Sequence, residues 1–113
     1  MEASCHCGNV HITAGHLPDS VASCNCSICS RYAALWTYYE PRDVEITIAS
    51  VPTSHYIWGD REVEFHFCPI CACITHYRTN EKCADRVVAI NARMTPSEVV
   101  DRLKHREIDG ASY

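Results

Sequence analysis

Eight of the chain's nine cysteines fall in three short clusters: Cys5-His6-Cys7, then Cys24-Asn25-Cys26-Ser27-Ile28-Cys29, then Cys68-Pro69-Ile70-Cys71-Ala72-Cys73. Only Cys83 stands apart. Thiols this closely spaced are tied either to one another or to ions, and in both cases the ties pin distant stretches of backbone together. The chain has 113 residues, which predicts one domain over 1–113. A domain of that size buries only about two-thirds of the surface that its unfolded chain exposes. A covalent or metal staple therefore adds a large share of the stability.

The start Met-Glu-Ala-Ser-Cys lacks the basic and apolar regions of a signal peptide, and no apolar run approaches the roughly 18 residues of a membrane span. A cytoplasmic protein is expected. In that reducing compartment, clustered cysteines predict metal ligands or catalytic thiols rather than disulfides, and an odd total of nine points the same way. Lys+Arg number 10 against 14 Asp+Glu, with no basic run, which argues against a nucleic-acid partner.

Short strand-like runs recur between turn signals, at 10–14, 34–39, 44–49, 55–58, 63–67, 74–78 and 86–92. In the third of these, Val44, Ile46 and Ile48 alternate with Glu45 and Thr47. In the fifth, Val63, Phe65 and Phe67 are expected to face the core while Glu64 and His66 face away. Only the tail reads as helix, with Thr95 as N-cap, Pro96 at the first position, Glu98 completing a capping box, and Val99, Val100 and Leu103 as the apolar face. The expected fold is mainly β, made of small antiparallel sheets with one short C-terminal helix.

Residues two apart on an extended segment point to the same side, so Cys5 and Cys7 can reach one ion. Cys68-Pro-Ile-Cys71 has the spacing of a zinc knuckle. Together the two pairs predict a closed four-thiolate site that staples the N-terminal strand to a central hairpin. The middle cluster differs, because Cys24, Cys26 and Cys29 supply three thiolates and leave one coordination position open, as in catalytic zinc sites. Cys73, Cys83, His76 or a nearby carboxylate would close that position in a purely structural site.

The order Cys-x-Cys, Cys-x-Cys-x-x-Cys, Phe-Cys-x-x-Cys resembles the glutathione-dependent formaldehyde-activating enzyme family, which also includes centromere protein V. The Cys5-His6-Cys7-Gly8 opening, Ser27 and Arg31, the Ile90-Asn91-Ala92-Arg93 segment and the closing Asp109-Gly110 match as well. The resemblance implies a β-tent fold with two zinc ions per chain. A structural zinc would sit on Cys5, Cys7, Cys68 and Cys71, and a catalytic zinc on Cys24, Cys26 and Cys29. It further implies a carbon–sulfur lyase that joins glutathione, or a similar small thiol, to an aldehyde such as formaldehyde. Two positions depart from the pattern: Ala72 stands where the family usually has glycine after the knuckle, and Ala33-Ala34 where a Gly-Ala pair is common after the middle cluster. Glycine tolerates a left-handed backbone that alanine resists.

Arg31 is the candidate grip for a substrate carboxylate, with Arg78 and Arg93 as further cations that an anionic thiol would need. His66 and His76 are candidate proton carriers or ligands, set against the commoner outward-facing strand histidine. Cys73 is a possible further zinc ligand, Cys83 a free thiol, and His6 points away if its neighbours bind metal. Trp36, Tyr38, Tyr39, Tyr56 and Trp58 are candidates for a cleft wall or for packing. The alternative to an enzyme is a non-catalytic, zinc-stabilised binding module with both sites structural. A methionine-sulfoxide-reductase-like use of Cys73 or Cys83 as nucleophile has no supporting constellation.

Overall fold

Alternation of apolar and polar side chains builds the smaller of two sheets. In the computed structural model, which describes residues 1–112, β1 (Glu2–Ser4), β2 (Val10–Ala14) and β5 (Val44–Ile48) pair antiparallel in the order β1-β2-β5. Val10, Ile12 and Ala14 lie opposite Ile48, Ile46 and Val44 and point inward, while His11, Thr13, Glu45 and Thr47 stay exposed. The larger sheet takes β3 (Ser20–Cys24), β4 (Trp36–Tyr39), β6 (Ser54–Ile57), β7 (Val63–Phe67), β8 (Ile74–Thr79), β9 (Val88–Asn91) and β10 (Lys104–Ile108). Their order is β10-β3-β4-β9-β8-β7-β6. The chain is mainly β, as its sequence predicts.

Several expectations are corrected. The larger sheet is not purely antiparallel, because β10 pairs parallel to β3, with Lys104 opposite Ser20 and Ile108 opposite Cys24. A second helix, α1 (Ser27–Tyr32), sits on the middle cysteine cluster. The tail helix α2 (Ser97–Asp101) forms, but Thr95 does not cap it. The Thr95 hydroxyl instead donates to the Ala92 carbonyl at 2.6 Å, closing the preceding 3-10 turn, and the N-cap is Pro96 without a side-chain bond. Val100 and Leu103 pack with Val21, Leu35 and Ala92 in a small core of their own.

The larger sheet is covered on both faces. Directly opposed residues share a face, so His66, His76, Ile90 and Thr37 line one side, and Phe65, Tyr77, Ala89 and Tyr38 the other. On the first side Ile90 and Tyr39 join Val10, Ile12, Ala14, Cys5 and Cys68 in one core cluster. On the second, Phe65, Ala89 and Trp36 join Cys29 and Ala34. His66 therefore does not face away into water. It is buried, its ring stacks on His76 with centroids 4.6 Å apart, and Thr53 bonds its Nδ1 at 2.8 Å.

Burial first, then the neighbouring charges of His66 and Arg78, holds the His76 imidazole down to about 3 from the usual 6.5. The unfolded chain takes up this proton near pH 6.5 and the folded chain only near 3. The stabilising contribution is thus complete above pH 6.5 and is lost as pH falls toward 3. His76→Asn should flatten the acid-side fall in stability by about one proton. Urea midpoints for both proteins between pH 7 and 4 check this, and parallel curves would refute it.

Two alanines sit in left-handed backbone: Ala33 with φ 53° caps the end of α1, and Ala72 with φ 64° closes the turn after Cys71. Ala72→Gly should raise stability by about 0.5–1 kcal/mol, since the left-handed conformation strains a Cβ and the glycine entropy cost offsets only part of that relief. A higher thermal midpoint with unchanged metal content is the expected result.

Candidate metal centres

The outer cysteines meet where β1 ends and where the β7–β8 hairpin turns. Gly8, at φ 83°, lets the first loop fold back so that its N–H reaches the Cys5 carbonyl at 3.2 Å. In the hairpin turn the Ala72 N–H bonds the Cys68 carbonyl at 2.8 Å, and the Cys68 N–H bonds that of Cys73 at 3.0 Å. The Sγ atoms of Cys5, Cys7, Cys68 and Cys71 all lie within 4.8 Å of one another. Cys5 to Cys7 and Cys7 to Cys68 are both 3.7 Å. Zinc–sulfur bonds of about 2.3 Å at tetrahedral angles separate sulfurs by about 3.8 Å, so these four residues fit a zinc ion.

Backbone and amide N–H groups already aim at these sulfurs. Val10 N–H donates to Cys5 Sγ at 3.2 Å, and the Asn9 amide donates to Cys68 Sγ at 3.5 Å. N–H groups of Cys73 and Cys7 pull the Cys71 thiol down to about 5. Cys7 moves the other way: an Asn9 backbone N–H favours its thiolate, but desolvation and the thiols of Cys5, Cys68 and Cys71 push it up to about 12. Four thiols at this range cannot all ionise against one another, and a divalent cation removes that conflict.

Asn9, not singled out by the sequence reading, is buried and also ties this centre to the loop after β5. Its Oδ1 accepts from Ser50 and Val51 N–H, each at 2.9 Å. An asparagine between two strand signals carries no local mark of such a role. Cys73 packs in the same cluster as Cys5 and Cys68 but lies outside the four-sulfur group. Cys83 belongs to the loop after β8, its N–H bonded to the Asn80 carbonyl, and joins neither centre. His6 is exposed.

The middle centre lies on the opposite face of the larger sheet. Cys24 is the last residue of β3, Cys26 is the N-cap of α1, and Cys29 is buried within that helix. Their Sγ atoms lie within 4.8 Å of one another, and among the described residues no fourth histidine, carboxylate or cysteine joins the group. Cys26 Sγ accepts the Cys29 N–H at 3.4 Å. Although burial opposes it, that N–H and the side chains of Cys29 and Cys24 lower the Cys26 thiol. Burial first, then Cys26, pushes Cys29 up to about 12, against the pull of the Trp36 indole N–H. That buried Nε1 has no hydrogen-bond partner in the structure, so a thiolate at Cys29 held by a cation would satisfy it.

A cleft of about 490 Å³ opens on these three cysteines. Tyr38, Phe65 and Tyr77 come from three different strands, and Trp58 and Asp60 from the β6–β7 turn. Gly110 passes so close that a Cβ there would collide with Cys24 Sγ. It is held by its neighbours. Asn25 donates to Asp109 Oδ1 at 2.9 Å and accepts the Ala111 N–H at 3.0 Å, which fastens the Asp109-Gly110 segment to the loop between Cys24 and Cys26.

The structure does not bring the suspected arginines into this cleft. Arg31 folds back along α1 to the Ser27 carbonyl at 2.7 Å, and Arg93 bonds the Ala33 carbonyl at 2.6 Å. Arg78 shares the sheet face of His66 and His76. Of the suspected aromatics, Trp36 and Tyr39 are buried in the two cores, whereas Tyr56 is exposed on β6. A third group, His55, Glu64 and His66, converges on the β6–β7 pair, where His66 Nε2 meets Glu64 Oε1 at 3.1 Å.

A Rhodobacter sphaeroides protein of known crystal structure, a structural-genomics target, shares the fold with a TM-score of 0.75 at 22% identity, over 94% of this chain and 100% of its own. A search of the curated proteins returned no match. The family model described as "Glutathione-dependent formaldehyde-activating enzyme" matches residues 1–105, a span that holds every cysteine of both centres. By that match the chain belongs to the glutathione-dependent formaldehyde-activating enzyme family.

Proposed function

We propose that the protein is a zinc-dependent carbon–sulfur lyase that joins a small thiol, such as glutathione, to an aldehyde and cleaves the same adduct in reverse. The observation that carries this reading is the three-cysteine group, with no fourth protein ligand among the described residues, at the floor of an aromatic cleft. Zinc held there would supply a Lewis acid with an open position beside the substrates. In the forward reaction the thiol sulfur bonds the aldehyde carbon, the carbonyl π bond breaks, and the thiol proton ends on the oxygen.

The chain's own residues have three tasks in this scheme. Cys24, Cys26 and Cys29 present thiolates, of which Cys26 is steadied by the Cys29 N–H, and the unpartnered Trp36 indole N–H is available to Cys29. Gly110 keeps the approach to Cys24 free of a side chain. Tyr38, Phe65 and Tyr77 line the cleft and exclude water from one side of the reacting atoms. Cys5, Cys7, Cys68 and Cys71 hold a second, closed zinc site with a structural role.

Formaldehyde loss in the presence of a thiol should be faster with the protein than without it, and the acceleration should vanish in Cys26→Ser. No acceleration by a protein carrying two zinc ions per chain would remove the enzyme reading and leave a zinc-stabilised binding module.

A further inference from the structure

The cleft over the three cysteines has walls of one chemical kind. Tyr38, Phe65 and Tyr77 meet edge to face, with Phe65–Tyr77 centroids 5.4 Å apart and Tyr38–Tyr77 6.4 Å apart. Ile28, Val63 and Trp58 extend the apolar surface. Trp58 is 39% exposed and Tyr38 36%. Two large aromatic side chains left partly in water at the edge of a cleft form a surface that gains from being covered by an apolar group.

The charges around the cleft are equally one-sided. Asp60 is the one charged side chain among its described lining residues. Three thiolates around one divalent zinc add a further net negative charge. Arg31 lies on the Ser27 carbonyl and Arg93 on the Ala33 carbonyl, while Arg61, which follows Asp60 in the β6–β7 turn, is exposed and is not among the residues that line the cleft. Arg106 is held by Ser20 Oγ at 3.2 Å, with its guanidinium 5.9 Å from the Tyr38 ring centroid. Glutathione carries two carboxylates and one ammonium, so it enters with a net negative charge and finds no guanidinium fork among the described residues lining the cleft to receive either carboxylate.

We infer that this cleft selects a neutral thiol bearing an aromatic or branched aliphatic substituent, in preference to glutathione, as the thiol half of the aldehyde adduct. The inference rests on the reading of the three-cysteine group as the reaction centre. The aromatic walls take up the substituent, Asp60 disfavours anionic thiols at the cleft edge, and the thiol sulfur is left over the cysteines. The bond changes are those of any hemithioacetal formation: one carbon–sulfur bond forms, the carbonyl π bond opens, and the thiol proton passes to oxygen. No oxidant or reductant is required.

The test uses the zinc-loaded protein with 2-phenylethanethiol, 2-mercaptoethanol and glutathione as probes. Binding is read as quenching of Trp58 fluorescence, isolated by subtraction of Trp58→Phe, and turnover as thiol-dependent formaldehyde loss. Half-saturation for 2-phenylethanethiol should lie at least about tenfold below that for glutathione in both readouts. Asp60→Lys should narrow this gap by improving glutathione at least about threefold. If glutathione saturates at equal or lower concentration and turnover still vanishes in Cys26→Ser, the selectivity is overturned while the lyase reading stands. If no thiol quenches Trp58 and none is turned over, both are overturned.

Discussion

Cys68→Ala should lower the thermal midpoint by roughly 15 °C or more, or abolish the cooperative transition. Cys68 has no exposed surface, lies 3.7 Å from Cys7 across 61 residues of chain, and receives the Asn9 amide. Its centre ties the end of β1 to the β7–β8 turn, so the loop it closes is more than half the protein. Structural zinc sites contribute on the order of 10 kcal/mol of apparent binding free energy, against a total stability of about 5–15 kcal/mol for an ordinary domain. Losing one of four thiolates forfeits much of that contribution and leaves a buried void next to Ile90 and Val10. Thermal melts of wild type and variant, each with and without a strong chelator, check the result. A variant melting within about 3 °C of wild type, with both indifferent to chelation, would sink the structural-zinc assignment.

Cys29→Ser should behave in the opposite manner. The zinc content should fall from two to one per chain, the thermal midpoint should move far less than for Cys68→Ala, and thiol-dependent formaldehyde loss should drop by at least about 100-fold, the upper end of what loss of an outer-shell partner costs. The contrast follows from placement. Cys24, Cys26 and Cys29 span six residues at the junction of β3 and α1, so their ion closes only a short loop, whereas Trp36, Phe65 and Ala89 hold that side of the sheet by packing alone. Metal analysis, melting and rate are measured on one preparation. A variant that keeps two zinc ions and full activity would exclude the triplet as the reaction centre.

The sheets were readable where one face meets water. Val10–Ala14 and Val44–Ile48 alternate because His11, Thr13, Glu45 and Thr47 are solvated, and the expected strands coincide with the observed ones to within a residue. The same rule misreads Val63–Phe67, since both its faces are covered and His66 is stacked rather than exposed. Lys104–Ile108 carries no apolar period at all. It is an edge strand, exposed along Lys104 to Glu107, and only its parallel pairing with β3 defines it.

At the candidate centres, spacing grouped the same cysteines whose Sγ atoms the fold brings within 4.8 Å of one another, because residues of one loop or turn are close in sequence. The cleft was not legible, because Tyr38, Phe65 and Tyr77 come together through the strand order β4-β9-β8-β7, which no local pattern encodes. Arg31 illustrates the converse. Its nearness in sequence to Cys29 suggested a shared site, but four residues of helix return its side chain to Ser27.

The β7–β8 hairpin gives the two centres a common partition. Phe65 and Tyr77 furnish one room and His66 and His76 the other, while the turn of the same hairpin supplies Cys68 and Cys71. An irregular step in pairing between His66 and Phe67 resets the phase of the strand just before the knuckle. A single residue inserted in this strand would shift its phase, so that the side chains of Phe65 and His66 change faces while His76 and Tyr77 on β8 keep theirs. The two centres are therefore bound to vary together: whatever reshapes the aromatic wall of this hairpin also re-aims the cysteines at its far end.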